Sequence, residues 1–159
     1  MKRDFNLGDH LPYLLNRAGV KIGNCFNRDI ARYDITLPVW RVLVALWQHD
    51  EQSLSELSEI TSIDVSTLSR LVVNMEAKKL VVRRRSGKDA RALSLSLTRK
   101  GEKLTEQIVP IAQFYETSAT HGISEADIKR LKSLLSRIYS NMKLVDAGQA
   151  VAKRMQAAE

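Results

Sequence analysis

At 159 residues, with 44% hydrophobic content and one cysteine, the chain is long enough for one domain, or a small domain with an oligomerisation element, and excludes an intrachain disulfide or a thiolate zinc cluster. Its net charge of +7 favours a polyanionic partner. No apolar run approaches the roughly 20 residues that span a bilayer, and the polar start Met1-Lys2-Arg3-Asp4 leads into no signal-peptide core, so a cytoplasmic protein without a membrane partner is expected.

The apolar positions Leu11, Leu14, Leu15, Ala18, Ile22, Phe26 and Ile30 recur every three or four residues, which predicts a long amphipathic helix. Asp9 is a candidate cap, and Pro12 falls in the first turn, where it is tolerated. Gly19 and Gly23 lie inside this helix, where close approach of another helix would explain them. A second helix is expected from Leu37 through Trp47, with Thr36 as candidate cap and Pro38 in its first turn. Ser53-Leu54-Ser55-Glu56 reads as a capping box, opening a short helix with Leu54, Leu57 and Ile60 inward. After the break Thr61-Ser62-Ile63, Asp64 is placed to cap another helix with Val65, Leu68, Leu71, Val72 and Met75 on its buried side.

The opposite face of that helix carries Ser66, Thr67, Ser69, Arg70 and Asn74. On an isolated helix these would be a solvated surface. A capped short helix, a tight turn and a second helix with this face instead make a helix-turn-helix, whose second helix enters the major groove of DNA. Short hydrogen-bonding groups and a guanidinium suit base edges and phosphates there.

Leu80-Val81-Val82 has strand character, and Leu93-Ser94-Leu95-Ser96-Leu97 alternates as a half-buried strand does. The turn between them, Arg85-Ser86-Gly87-Lys88-Asp89-Ala90-Arg91, makes a hairpin or wing. Ten basic and three acidic side chains fall between Asp64 and Lys100, a local balance as large as that of the whole chain. Alternation along a strand prevents Arg83, Arg84 and Arg85 from all pointing at DNA, so at least one is expected at a solvated face or in a salt bridge. Thr98 is placed to cap a long helix in which Pro110 predicts a kink. Ser124 to Asp127 offers a further cap, followed by the stripe Ile128, Leu131, Leu134, Leu135, Ile138 and Met142. From about Asp146 periodicity weakens, as in a frayed helix.

This order of elements resembles the MarR family of winged helix-turn-helix regulators. Leu37-Pro38-Val39-Trp40-Arg41-Val42-Leu43 is similar to the family's second helix and Ser66-Thr67-Leu68-Ser69-Arg70-Leu71-Val72 to its recognition helix. Asp89-Ala90-Arg91, with Leu97-Thr98-Arg99-Lys100-Gly101, resembles its wing signature. Ser62 stands where many such turns carry glycine. The resemblance implies a mainly α fold with an α+β wing: a winged helix-turn-helix over residues 35–101, flanked by an N-terminal dimerisation helix (1–34) and C-terminal dimerisation helices (102–159) in one integrated domain. It implies a DNA-binding wing of Arg85, Lys88, Asp89 and Arg91, with Arg91 in the minor groove and Asp89 holding the wing by pairing with Arg91 or a neighbouring base. A turn aspartate is the alternative for Asp89.

The terminal apolar stripes need cover that the winged region does not evidently supply, so a twofold homodimer on a pseudo-palindromic double-stranded DNA operator is expected. The resemblance further implies a small-molecule effector, an aromatic acid or related compound, that releases a repressor from DNA. Candidate pocket walls are Leu11, Leu14, Leu15 and Trp40, with Arg17 or Arg41 as carboxylate partners, although such leucines and tryptophans are more often core. Cys25, within a helical turn of Lys21 and Arg28, is a candidate oxidant sensor against the commoner packing role. A nonspecific or architectural DNA binder is the remaining alternative. No metal-ligand spacing, phosphate loop or nucleophile elbow is found, so neither enzyme activity nor a metal or other cofactor is expected.

Overall fold

The computed structural model describes residues 5–85 and 93–146. The chain divides into two compact units, Met1–Glu116 and Thr117–Glu159. In the first, a 3-10 turn at Leu7–Asp9 precedes α1 (Leu11–Ile30), and a second at Ala31–Tyr33 leads to α2 (Leu37–Gln48), α3 (Leu54–Thr61) and α4 (Val65–Ala77). Strands β1 (Val81–Arg85) and β2 (Leu93–Leu97) follow, and α5 (Arg99–Ala119) begins in this unit. The second unit holds the end of α5 and α6 (Glu125–Asp146).

The caps differ in part from the sequence expectation. Asp9 does not cap α1: it lies in the 3-10 turn, whose cap is Asn6, and His10 occupies the N-cap position of α1 without a side-chain bond. Thr36 and Asp64 hold the N-cap positions of α2 and α4, also without side-chain bonds. The first amide of α2 is instead satisfied from α1, where Asn27 Oδ1 accepts the Leu37 N–H at 2.8 Å. This cross-helix bond fixes the angle of the α1–α2 corner while removing an orphan donor. The capping box of α3 is present, with Ser53 N–H donating to Glu56 Oε2 at 2.7 Å and Glu56 N–H to Ser53 Oγ at 3.2 Å. Thr98 Oγ1 accepts the Gly101 N–H in α5, and Ser124 Oγ accepts the Asp127 N–H in α6.

The core of the first unit gathers Phe26 and Ile30 of α1, Trp40, Leu43 and Leu46 of α2, Leu57, Leu68, Val72 and Met75 of the helix-turn-helix, Leu80, Leu95 and Ile108. The outward limits of two apolar stripes were misplaced: Ile60 is 56% and Val65 47% exposed. Of the stripe on α1 only Phe26 and Ile30 are buried, whereas Leu11, Leu14 and Ile22 are exposed. A Cβ at Gly23 would lie 3.2 Å from Leu37 Cδ2, the close approach expected there, but Gly19 meets nothing within 4 Å. Helix α6 has no buried residue among those described, and its Leu131, Leu134, Leu135 and Met142 are exposed.

The strands pair antiparallel with Val81 opposite Leu97 and Arg85 opposite Leu93. Strand β2 is not half-buried as its alternation predicts. Ser94 and Ser96 are buried and Leu93 is exposed. On its second edge Gln52 exchanges both main-chain bonds with Leu95, at 3.2 and 2.8 Å, and α2 packs against β2. Small serine side chains permit that close cover on the second face.

The turn between α3 and α4 runs through Ser62 in the left-handed conformation, φ 55 and ψ 38. Ser58 Oγ closes it by donating to the Ile63 carbonyl at 2.7 Å. A side chain is strained there, so Ser62→Gly should raise stability by about 0.5–1 kcal/mol after its own chain-entropy cost. Urea unfolding would show a higher midpoint at unchanged slope; an unchanged or lower midpoint would refute the strain.

Candidate nucleic-acid interface

Helix α4 is fixed by its buried side, Leu68, Val72 and Met75, and by its C-terminus. There Lys79 adopts φ 58, its N–H donates to the Glu76 carbonyl, and the Leu80 N–H reaches the Met75 carbonyl, each at 2.9 Å. This is a Schellman ending, with buried Leu80 against buried Met75 as its hydrophobic contact. Two ion pairs extend the anchorage: Arg83 Nε to Glu76 Oε2 at 3.0 Å, and Lys78 Nζ to Asp34 Oδ2 at 2.7 Å. Lys78 also donates to the Asp34 carbonyl at 2.6 Å. The Lys78 hydrogen bond and charge hold the Asp34 carboxyl below its ordinary value.

With its inner face fixed, α4 presents Ser66, Thr67, Arg70 and Asn74 to solvent, while Ser69 is half-buried. Arg70 forms no ion pair among the described residues, which leaves its guanidinium available to a phosphate or a guanine edge. Val65 and Val73 are exposed on the same helix, a feature the sequence reading missed. Val73 falls off the spacing set by Leu68, Val72 and Met75, and that was the available signal. Apolar groups here suit thymine methyls.

The wing is described at its base. Arg83 is the salt-bridge member of the arginine run, Arg84 is exposed, and Ser94 Oγ donates to the Arg84 carbonyl at 3.5 Å. The side chain of Arg85 and the residues Lys88, Asp89 and Arg91 lie outside the described residues, as do residues 147–159.

The six residues nominated for an effector pocket fall on α1 and α2. Trp40 is buried in the core with its ring 5.6 Å from that of Phe26. Leu11, Leu14 and Arg17 are exposed and Leu15 is half-buried on α1. Arg41 lines a groove of about 350 Å³ with Ile60, Thr61 and Ser62. Cys25 is half-buried on α1. Nearby, the Tyr115 hydroxyl donates to Asp29 Oδ2 at 2.6 Å and joins α5 to α1. That bond, then burial, raises the phenol's pKa. The sequence reading also missed a basic cluster of Lys78, Arg99, Lys100 and Lys103, which the fold collects around one groove.

Among the described residues, no cluster of His, Cys, Asp or Glu is arranged to hold a metal ion, and no helix is long and apolar enough to cross a membrane.

A model described as "MarR family" matches residues 33–92. The chain is 28% identical over 134 residues to the organic hydroperoxide resistance transcriptional regulator of Bacillus subtilis (strain 168), covering 84% of this chain and 88% of that one. A structure concerned with regulation of DNA binding by Bordetella bronchiseptica BpsR with 6-hydroxynicotinic acid superposes with a TM-score of 0.76 at 26% identity, covering 85% of this chain and 96% of that one. The DNA complex of S. aureus MepR gives 0.73 at 25% identity, over 83% and 98%. Sequence, winged fold and relatives agree in supporting a MarR-family winged helix-turn-helix, DNA-binding transcriptional regulator, with the family match lying over residues 33–92.

Proposed function

We propose that the chain is a sequence-specific repressor that binds a pseudo-palindromic operator as a homodimer and is released by a small aromatic acid or related ligand. The observation that carries the DNA reading is the solvent-facing set Ser66, Thr67, Arg70 and Asn74 on a helix fixed at its buried side and C-terminus. The wing residues Arg85, Lys88, Asp89 and Arg91 complete the reading, with Arg91 as the minor-groove residue, Lys88 as a phosphate contact and Asp89 holding the wing. Ligand control is supported by the BpsR relative, whose DNA binding is linked to 6-hydroxynicotinic acid. Exposed leucines on α1 and α6 support pairing with a second copy, since apolar stripes of this kind favour burial.

A fluorescence-anisotropy titration against DNA upstream of the chain's own gene, and against a shuffled control, tests the reading. Preference of about 10³-fold is expected. Equal affinity for both would favour the architectural alternative, in which salt sets the binding and sequence does not. Light scattering at micromolar concentration should return the mass of two chains; the mass of one would remove the dimer and, with it, the palindrome.

A further inference from the structure

The basic groove lies between the α1–α2 corner, the C-terminus of α4 and the first turns of α5, and is open to solvent with a volume of about 630 Å³. Lys78, Arg99, Lys100 and Lys103 line it, with Asp34 as the opposing carboxylate, which leaves three positive charges in excess. Asp34 is taken up by Lys78. Among the described residues, Lys100 Nζ reaches a carbonyl, that of Lys78 at 2.9 Å, and Lys100, Arg99 and Lys103 have no ion pair.

Two of these cations occupy the first turn of a 21-residue helix and a third follows directly, with Glu102 the acid in that turn. The N-terminus is the positive end of the helix dipole, so clustered cations oppose it and an anion relieves both. Ile35, Leu80 and Leu104 supply an apolar wall beside the charges. The volume falls in the range of small-molecule sites, about 300–1,000 Å³.

We propose that this groove binds a phosphorylated organic effector with an apolar body. The excess of charge favours a dianionic head, and the apolar wall takes the remainder of the molecule. DNA is the less favoured occupant, because the groove adjoins Lys78, twelve positions beyond Ser66 and therefore roughly 18 Å along α4 from the N-terminal end that leads into the major groove. The groove also adjoins the tie from Lys78 to Asp34, so an anion that draws Lys78 away frees the C-terminus of α4 and couples occupancy to DNA affinity. The proposal rests on the reading above that a small ligand releases the repressor, and it narrows that ligand from an aromatic acid to a phosphate ester held in this groove.

Calorimetry on the full chain without DNA, with 1-naphthyl phosphate as probe and inorganic phosphate and 1-naphthoate as references, tests the site. The probe should bind at least about fivefold more tightly than either reference, and an Arg99→Gln, Lys103→Gln double variant with an unchanged thermal melt should lose about tenfold. Arg70→Ala should bind the probe as the parent does. Equal binding of 1-naphthoate, or an unaffected double variant, overturns the proposal. In the anisotropy assay the probe should weaken operator binding by the parent and not by the double variant. A parent that binds the probe and keeps its operator affinity overturns the effector role. If the double variant instead loses operator affinity without any probe, these cations serve the DNA backbone and the proposal falls. Because calorimetry contains no DNA, failure of operator recognition is distinguishable from failure of the groove.

Discussion

Gly101→Ala is expected to destabilise the winged unit by at least about 3–5 kcal/mol, enough to consume much of a domain's stability. A Cβ at this position would lie 2.1 Å from the Leu80 carbonyl oxygen, 3.1 Å from its carbon and 3.2 Å from Leu97 Cδ2. Main-chain atoms would have to give way, which no rotamer change achieves. The Leu80 carbonyl is also held in place: it accepts the Thr98 N–H at 3.0 Å and lies 3.3 Å from Thr98 Oγ1. Its neighbour, the Lys79 carbonyl, accepts Thr98 Oγ1 at 2.6 Å. Movement would therefore break the junction of α4, β1 and α5 at once. Circular-dichroism melts should show a fall in Tm of more than about 10 °C. A variant melting within a few degrees of the parent would mean that the first turn of α5 relaxes more easily than its contacts imply.

Arg70→Ala should weaken operator binding by about a hundredfold, since the proposed dimer would lose the residue twice and each bidentate contact is worth about 1–3 kcal/mol of discrimination. Affinity for shuffled DNA should fall less, which reduces the preference itself. Arg70→Lys separates two roles, because lysine keeps the charge and loses the planar fork. If lysine restores both affinity and preference, Arg70 is a phosphate contact; if it restores only the affinity for shuffled DNA, Arg70 reads a base. Parental binding by Arg70→Ala would remove it from the interface.

The parts of the fold that depend on neighbouring residues were legible in the sequence. Ser53 and Glu56 stand three positions apart and satisfy each other, so the start of α3 can be read without knowledge of anything distant. The polar face of α4 was legible for the same reason, as periodicity places Arg70 and Asn74 on one side. Partners far along the chain were not. Asn27 serves an amide at Leu37, and Asp34 holds Lys78, 44 positions away. The necessity of glycine at position 101 comes from the Leu80 carbonyl, although the resemblance had already marked the residue. Trp40 illustrates the limit of periodicity, which identifies a buried face without distinguishing core from ligand wall; here the ring packs on Phe26. The groove at Lys78 and Arg99 escaped notice because its cations are divided between α4 and α5 and read along the chain as general basicity.

Two lysine side chains make a series of ties across three residues: Lys100 bonds the carbonyl of Lys78, and Lys78 the carbonyl of Asp34. A carbonyl belongs to every residue type, so the receiving positions are tolerant while the donors are not. At position 34, where φ is 57, asparagine or glycine would keep the main-chain half of its tie and lose only the ion pair. Substitution can therefore wander at the corner between α1 and α2, while Lys78, which grips it, and Lys100, which holds Lys78, must keep their reach.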